Sequence, residues 1–198
     1  MIILLTGIQR GGATWGCSMN GSCSYSAAPA GWAANVGRTL GNSPTHETPP
    51  ERLAQTLEIN LVAVFRCMQH ELRWMRQQGG GGAIVNNSSI GGTRGFAGLQ
   101  DYCAAKWGLI GLSKAAALEN ADIGIRINVL APGLIATERF EQVRREHTAA
   151  IDARLAEVPM RRPGGLQEVA DTVAWLLGPF STYLSGAVVP LDGGECAR

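Results

Sequence analysis

The 198-residue sequence lacks the features that mark several common classes of protein. Its formal net charge is only +1, from 17 basic and 16 acidic residues, and no run of like charges offers a footprint for nucleic acid or an anionic membrane. Its five cysteines and three histidines form no CxxC pair and no ligand spacing, which argues against a disulfide framework and against any metal site. No segment reaches the ~18 consecutive apolar residues of a membrane span. We expect a cytoplasmic protein whose partners are small molecules or protein, with no nucleic acid and no membrane.

What the sequence does contain is typical of one globular core. Hydrophobic residues make up 45% and charged residues 17% of the chain, which favours a single domain over residues 1–198. The opening stretch, MIILLTG, is apolar but has no basic n-region and runs directly into glycines. It therefore predicts a strand and not a signal peptide.

Helices and strands alternate from Thr48 onward. Thr48 is the predicted N-cap of a long amphipathic helix over residues 48–76, with Pro49 at its first position and Glu51 completing a capping box. After the glycine run at 79–82, AIVNNSS predicts a buried strand, residues 101–120 a second helix, and IRINVLAPG another buried strand. LQEVADTVAWLLG then predicts a helix, and LSGAVVPLDGG a last strand. This order predicts an α/β fold with a parallel sheet of about five strands and flanking helices.

One set of polar residues follows a predicted strand at the sheet edge where ligands bind in such folds. Ser89 ends AIVNNSS, and Tyr102 and Lys106 lie one turn apart on the next helix. A neighbouring cation and a bound nicotinamide would lower the tyrosine pKa from ~10 toward neutrality, as a general acid or base requires. Taken alone, the tyrosine and lysine also fit an ordinary exposed helix, and the two serines at 88 and 89 also fit a helix cap.

Residues 35–194 resemble the classical short-chain dehydrogenase/reductase family, because AIVNNSS, a glycine-rich gap, YCAAK and IRINVLAPGLIATE occur in that order. The resemblance implies a Rossmann-like sheet and an NAD(P)-dependent oxidoreductase that interconverts an alcohol and a carbonyl, of the sugar or small-ketone class, by hydride transfer. It assigns a catalytic tetrad to Asn60, Ser89, Tyr102 and Lys106. In the family the serine hydrogen-bonds the substrate oxygen and the tyrosine transfers the proton. The lysine lowers the tyrosine pKa and binds the ribose, and the asparagine holds a relay water. A second interpretation of Asn60 is a structural hydrogen bond to backbone.

The resemblance also implies a cofactor, NADP or NAD, and a set of residues that bind it. Arg10 resembles a basic residue that pairs with a 2′-phosphate, which favours NADP slightly, although a surface arginine is the simpler interpretation. The residues that the resemblance assigns to cofactor binding are Gly7, Arg10, Gly11, Asn35, Gly37, Tyr102, Lys106, Pro132, Gly133, Ile135 and Thr137.

Two further segments take their interpretation from the family. Residues 138–163 match the position of its substrate lid. The arginines of this segment, among them Arg154, predict a solvated face, and a substrate anchor is the alternative interpretation. The two long helices resemble those that pair between subunits, so we expect a homo-oligomer, either a dimer or a tetramer.

The front of the chain departs from the family pattern. LLTGIQRGGA resembles the TGxxxGxG turn at Gly7 and Gly11, but Ala13 replaces the last glycine. Only 28 positions separate Gly7 from Asn35, whereas a single βαβ unit takes about 30 residues and the family places two additional strands there. Residues 14–34 show no apolar period and predict irregular chain. Residues 1–34 are thus a truncated or divergent cofactor-binding segment. The alternative function is a catalytically silent remnant that serves as an oligomer partner or binding module.

Overall fold

A computed structural model of the chain describes residues 16–17, 23–24, 31–34 and 37–197. Four of its strands form one parallel sheet, in the order β3, β4, β5, β6: β3 (Gly31–Ala34), β4 (Gly82–Asn87), β5 (Ile125–Pro132) and β6 (Val188–Leu191). The strands β1 (Gly16–Cys17) and β2 (Cys23–Ser24) form a short antiparallel pair. The predicted α/β class with a parallel sheet is confirmed, with four strands in the described sheet where about five were expected. The strand predicted at residues 1–7 lies outside the described residues.

Strand β3 lies within a segment whose sequence predicts irregular chain, and there the prediction is wrong. Residues 31–34, GWAA, pair with β4 in parallel register, Trp32 opposite Ile84, and all four are buried. The small side chains allow close packing, since a Cβ on Gly31 would lie 3.0 Å from Leu177 Cδ2. The strand is stabilised by contacts distant in sequence, which local composition does not reveal.

The first long helix begins later than predicted. Helix α1 (Pro50–Leu57) has Pro49 at its N-cap, with no side-chain hydrogen bond, so the capping box centred on Thr48 is wrong. The Thr48 hydroxyl instead donates to the Pro44 carbonyl at 3.0 Å. A π-helical turn (Glu58–Val62) joins α1 directly to α2 (Ala63–Gln78). Such turns are rare and occur often at functional sites.

Helices pack on both faces of the sheet, and four of them follow α2 in the described part of the chain. They are α3 (Gln100–Asn120), α4 (Glu138–Glu146), α5 (Thr148–Glu157) and α6 (Leu166–Leu177). Because successive strand residues face opposite sides, Ile84 packs in the cluster with Trp32 and Met68, whereas Val85 packs in the cluster with Leu176. None of the helices in the described part of the chain is both long and apolar enough to cross a membrane.

The segment after β5 is helical, as its sequence predicts, but its arginines are not all solvated. The Arg154 side chain on α5 is only 22% exposed and pairs with the fully buried carboxylate of Glu195. The prediction of a solvated face is therefore wrong for Arg154.

Candidate active site

The end of β4 places its two serines in different environments. Ser88 is buried, and its hydroxyl donates to the Lys106 carbonyl at 3.0 Å. The Ser89 hydroxyl accepts from Gly91 N at 3.1 Å and thereby caps the short 3₁₀ turn Ile90–Gly92. Ser89 is thus both a cap and the serine whose side chain remains half-buried at the sheet edge.

Ser89, Tyr102 and Lys106 meet at this edge. A Cβ on Gly91 would lie 3.6 Å from Ser89 Oγ and within contact distance of the Tyr102 ring, so the two side chains are neighbours, and Lys106 Nζ lies 5.7 Å from the centroid of that ring. The ammonium, 1% exposed, also donates to the Asn87 carbonyl at 3.0 Å. A Cβ on Gly91 would lie 3.2 Å from Tyr102 Cε1, so the glycine lets the turn pack against the ring. The sequence-predicted serine, tyrosine and lysine therefore form one cluster.

Burial controls the ionisation of both members of the pair. It raises the pKa of Tyr102, and the neighbouring Ser89 hydroxyl partly offsets that rise. It lowers the pKa of Lys106 to about 8, because the charged ammonium loses hydration. The expected lowering of the tyrosine pKa included the field of a bound nicotinamide, so it stays a prediction.

Asn60 lies in the π-helical turn with no exposed surface. Its amide donates to the carbonyls of Arg38 and Thr56, at 3.0 and 2.9 Å, and its Oδ1 accepts from Arg38 N at 3.0 Å. The structural interpretation of Asn60 matches these contacts, and the relay water stays a prediction. A Cβ on Gly37 would lie 3.0 Å from Lys106 Nζ and 3.2 Å from Asn60 Oδ1. Asn60 and Gly37 therefore adjoin the same cluster.

A buried ion pair that the sequence analysis missed fixes the first turn of α3. Asp101, 2% exposed, accepts from Tyr102 N at 2.9 Å through Oδ1. Its Oδ2 accepts from Arg52 Nε at 3.1 Å and from the Thr56 hydroxyl at 2.9 Å. Thr56 also holds Asn60 through its carbonyl. The network links the backbone at the tyrosine to the asparagine. A carboxylate beside the tyrosine was a visible signal, but its partners 45 and 49 positions away were not.

The loop after β5 brings the other candidate cofactor residues to the same edge. Gly133 N donates to the Leu191 carbonyl at 3.0 Å, and a Cβ there would lie 3.0 Å from Asp192 Cα. Ile135 bridges to Gly164, and the Thr137 hydroxyl caps α4 by accepting from Phe140 N at 3.1 Å. Pro132 ends β5. These residues follow the carboxyl end of β5, at the edge of the sheet where ligands bind in such folds.

Four of the candidate cofactor residues fall in the part of the chain that the structure does not describe. Gly7, Arg10, Gly11 and Asn35 lie outside the described residues. Within the part that the structure describes, no group of three histidine, cysteine or acidic side chains is placed to hold a metal ion.

Comparison with known proteins gives consistent results. Residues 28–195 match the family described as enoyl-(acyl carrier protein) reductase. Levodione reductase from Leifsonia aquatica is 36% identical over 172 residues, which are 84% of this chain and 64% of that protein. The 3-oxoacyl-[acyl-carrier-protein] reductase of Escherichia coli is 41% identical over 138 residues, 70% of this chain and 55% of that one. The chain thus spans less than two thirds of the length of either relative.

The fold comparison agrees with the sequence comparison. The structure of ElxO with NADP bound superposes with a TM-score of 0.80 at 32% identity and covers 85% of this chain and 67% of that one. The family match extends over most of the described residues, including the cluster of Ser89, Tyr102 and Lys106. The chain belongs to the classical short-chain dehydrogenase/reductase family, a family of oxidoreductases.

Proposed function

We propose that this chain is an NAD(P)-dependent oxidoreductase that interconverts an alcohol and a carbonyl. The observation that carries the proposal is that Ser89 and Tyr102 both adjoin Gly91, with the buried Lys106 Nζ 5.7 Å from the centroid of the tyrosine ring. These groups can bind a substrate oxygen and move a proton to or from it. Sugars and small ketones are the proposed substrate class.

Each residue of the proposed site has a separate task. Ser89 binds and orients the substrate oxygen, and Tyr102 donates the proton to that oxygen during reduction or removes it during oxidation. Lys106 places its ammonium near the phenol, where it favours the phenolate form. Asn60 holds the loop at Arg38 against the π-helical turn and keeps Gly37 close to the lysine. A bound nicotinamide supplies or accepts the hydride.

The proposed cofactor is NADP or NAD. Gly37, Tyr102, Lys106, Pro132, Gly133, Ile135 and Thr137 would hold its nicotinamide end, and Gly7, Arg10, Gly11 and Asn35 would take part from outside the described residues. The bound nucleotide in ElxO is NADP, which supports the slight preference for NADP that Arg10 suggests. The short interval between Gly7 and Asn35 leaves few residues for the adenosine half. We therefore expect binding at least about a hundredfold weaker than a cell requires, since each 1.4 kcal/mol is tenfold in affinity.

The test joins a binding and a turnover measurement. Isothermal titration with NADPH and with NADH reports binding, and loss of nucleotide absorbance with a panel of ketones and sugars reports reduction. Tyr102→Phe should reduce turnover to a few per cent or less, because phenylalanine keeps the packing and has no exchangeable proton. The matched control is Tyr183→Phe, since Tyr183 is fully exposed and its removal should leave the rate unchanged. Substantial turnover by Tyr102→Phe would reject the assignment.

A catalytically silent remnant is the second candidate function. The 28 positions between Gly7 and Asn35 are the observation that favours it, because they cannot hold the two additional strands and helices of the family. The chain would then serve as an oligomer partner or a binding module. A low-micromolar dissociation constant for either nucleotide would exclude this candidate.

We also propose that the chain forms a homo-oligomer, a dimer or a tetramer, through α2 and α3. Phe65 on α2 is 39% exposed, and Trp107 and Leu118 on α3 are 53% and 84% exposed. Large apolar side chains gathered on two packed helices are typical of a surface that another subunit covers.

A further inference from the structure

A buried carboxylate near the C-terminus ties two other segments of the chain together. Glu195 Oε1 lies 3.1 Å from the Arg94 guanidinium, and it also pairs with the guanidinium of Arg154. Both guanidiniums stack on the Phe96 ring, at 4.6 and 5.2 Å from its centroid. We call Arg94, Phe96, Arg154 and Glu195 the clasp. The Glu195 side chain within it has no exposed surface.

The clasp joins segments that surround the proposed substrate position. Arg94 and Phe96 belong to the loop that connects Ser89 with Tyr102, and Arg154 belongs to α5 in the segment after β5. Further contacts run along the same boundary: the Thr93 hydroxyl lies 3.7 Å from Cys196 Sγ, and Met160 N donates to the Gly193 carbonyl at 3.2 Å. The turn after β6 therefore contacts the loop on one side and the end of the helical segment on the other.

Charge explains why the single carboxylate matters. Two guanidiniums lie over one aromatic ring, and without a negative partner between them they would repel each other in a poorly solvated place. The exposed Glu157 also pairs with Arg154, at 2.6 Å, but both residues of this pair lie on α5. Within the clasp, Glu195 supplies the charged link between α5 and the loop, beside the stacking of Arg154 on Phe96.

We propose that Glu195 is a positioning residue that holds α5 closed against the Ser89–Tyr102 loop and so sets the space open to the side groups of the substrate. The part that concerns substrate rests on the proposed oxidoreductase function. The part that concerns α5 does not, because it follows from the clasp contacts themselves.

The experiment measures amide hydrogen exchange across the whole chain without nucleotide or substrate. Glu195→Gln keeps the shape of the side chain but removes its charge, and it should speed exchange in α5 and in the loop at 93–99 by about tenfold, with α2 unchanged. Glu157→Gln is the matched control, since it removes the other acidic partner of Arg154, and it should change exchange in α5 by less than about twofold. Arg154→Gln should loosen α5, and Arg154→Lys should restore most of its protection.

Two results would overturn the proposal: unchanged exchange in α5 for Glu195→Gln, or an equal rise in α2 and α3, which would show a general loss of stability. Turnover supplies the second readout. For a bulky ketone, Glu195→Gln should raise KM by about tenfold and leave kcat within about twofold, since substrate positioning and not proton transfer is affected; an unchanged KM would contradict the substrate part. If the unmodified chain shows no turnover, the oxidoreductase proposal fails, and the exchange measurement still decides the role of Glu195.

Discussion

Glu71 on α2 and Lys106 on the adjacent α3 are both almost fully buried, and burial shifts their pKa values in opposite directions. The pKa of Glu71 rises to about 8 and that of Lys106 falls to about 8, since loss of hydration disfavours the charged form of each group. Lys106 has a role in the proposed site, whereas Glu71 packs away from it. The carboxyl of Glu71 therefore affects stability more than chemistry.

The stability of the chain should depend on pH through Glu71. Because its pKa is higher in the folded chain than the ordinary 4.5, the folded state holds a proton that the unfolded state releases between pH 4.5 and 8. The contribution of this proton to the free energy of unfolding is fully present below pH 4.5 and is lost as the pH rises toward 8. Lys106 adds slope only as the pH approaches its folded pKa of about 8, and a substitution at Glu71 leaves that group in place.

The measurement is the free energy of unfolding in urea at pH 5 and pH 8. Glu71→Gln should lose less stability over this interval than the unmodified chain, by at least about 1 kcal/mol. The exposed Glu119 provides the control, since Glu119→Gln should keep the original dependence. An equal fall for Glu71→Gln and the unmodified chain would show that the carboxyl is charged when buried.

At the scale of elements, the helices and strands with strong local patterns could be predicted and those that depend on tertiary contacts could not. The period of apolar residues and the glycine breaks predicted α3 and β5 to within a residue or two. Strand β3 could not be predicted, because its four residues, two of them alanine, show no alternation of apolar and polar side chains. Its conformation depends on contacts with β4 and α6. The π-helical turn could not be predicted for the same reason, since the side-chain hydrogen bonds of Asn60 in this turn involve the distant backbone of Arg38.

In the candidate site, too, features with a local sequence pattern could be predicted and those that depend on distant contacts could not. Ser89, Tyr102 and Lys106 could be predicted because a strand end and one helical turn fix their spacing. The clasp could not, because Arg94 and Glu195 are about a hundred positions apart and no local pattern connects them. The Arg52 and Asp101 pair was missed on the same ground.

That ion pair should govern how α1 packs on α3. Arg52→Met would leave the Asp101 carboxylate, 2% exposed, without its charged partner, and we expect a loss of about 3 kcal/mol in the free energy of unfolding. Arg66→Met is a matched control in the following helix, because the pair of Arg66 with Glu58 is exposed at 64% and 52% and should contribute less than about 1 kcal/mol. Urea unfolding of both variants measures the difference. Equal losses would show that the Thr56 hydroxyl and the Tyr102 backbone N–H stabilise the Asp101 carboxylate without Arg52.

At the scale of the whole molecule, large apolar side chains are exposed on several surfaces of the described part of the chain, and two of these surfaces are candidates for pairing. One carries Trp107 and Leu118 on α3 with Phe65 on α2, and the other carries Phe180 and Tyr183 after α6. The α2 and α3 surface is the broader candidate for pairing, because Leu61 of the π-helical turn packs against Gly108 and holds the two helices side by side.

Placing a charge on that surface should therefore separate the subunits. Leu118 is 84% exposed, so Leu118→Glu costs little in an isolated chain, but in an oligomer it would bury a carboxylate against apolar side chains without a partner, which is strongly unfavourable. Light scattering at micromolar concentration should report an oligomer for the unmodified chain and a monomer for Leu118→Glu. Ala149→Glu, at an exposed position of α5, is the control and should leave the oligomer intact. A monodisperse monomer before any substitution would rule out pairing through these helices, and an oligomer that survives Leu118→Glu would move the interface to the surface around Phe180 and Tyr183.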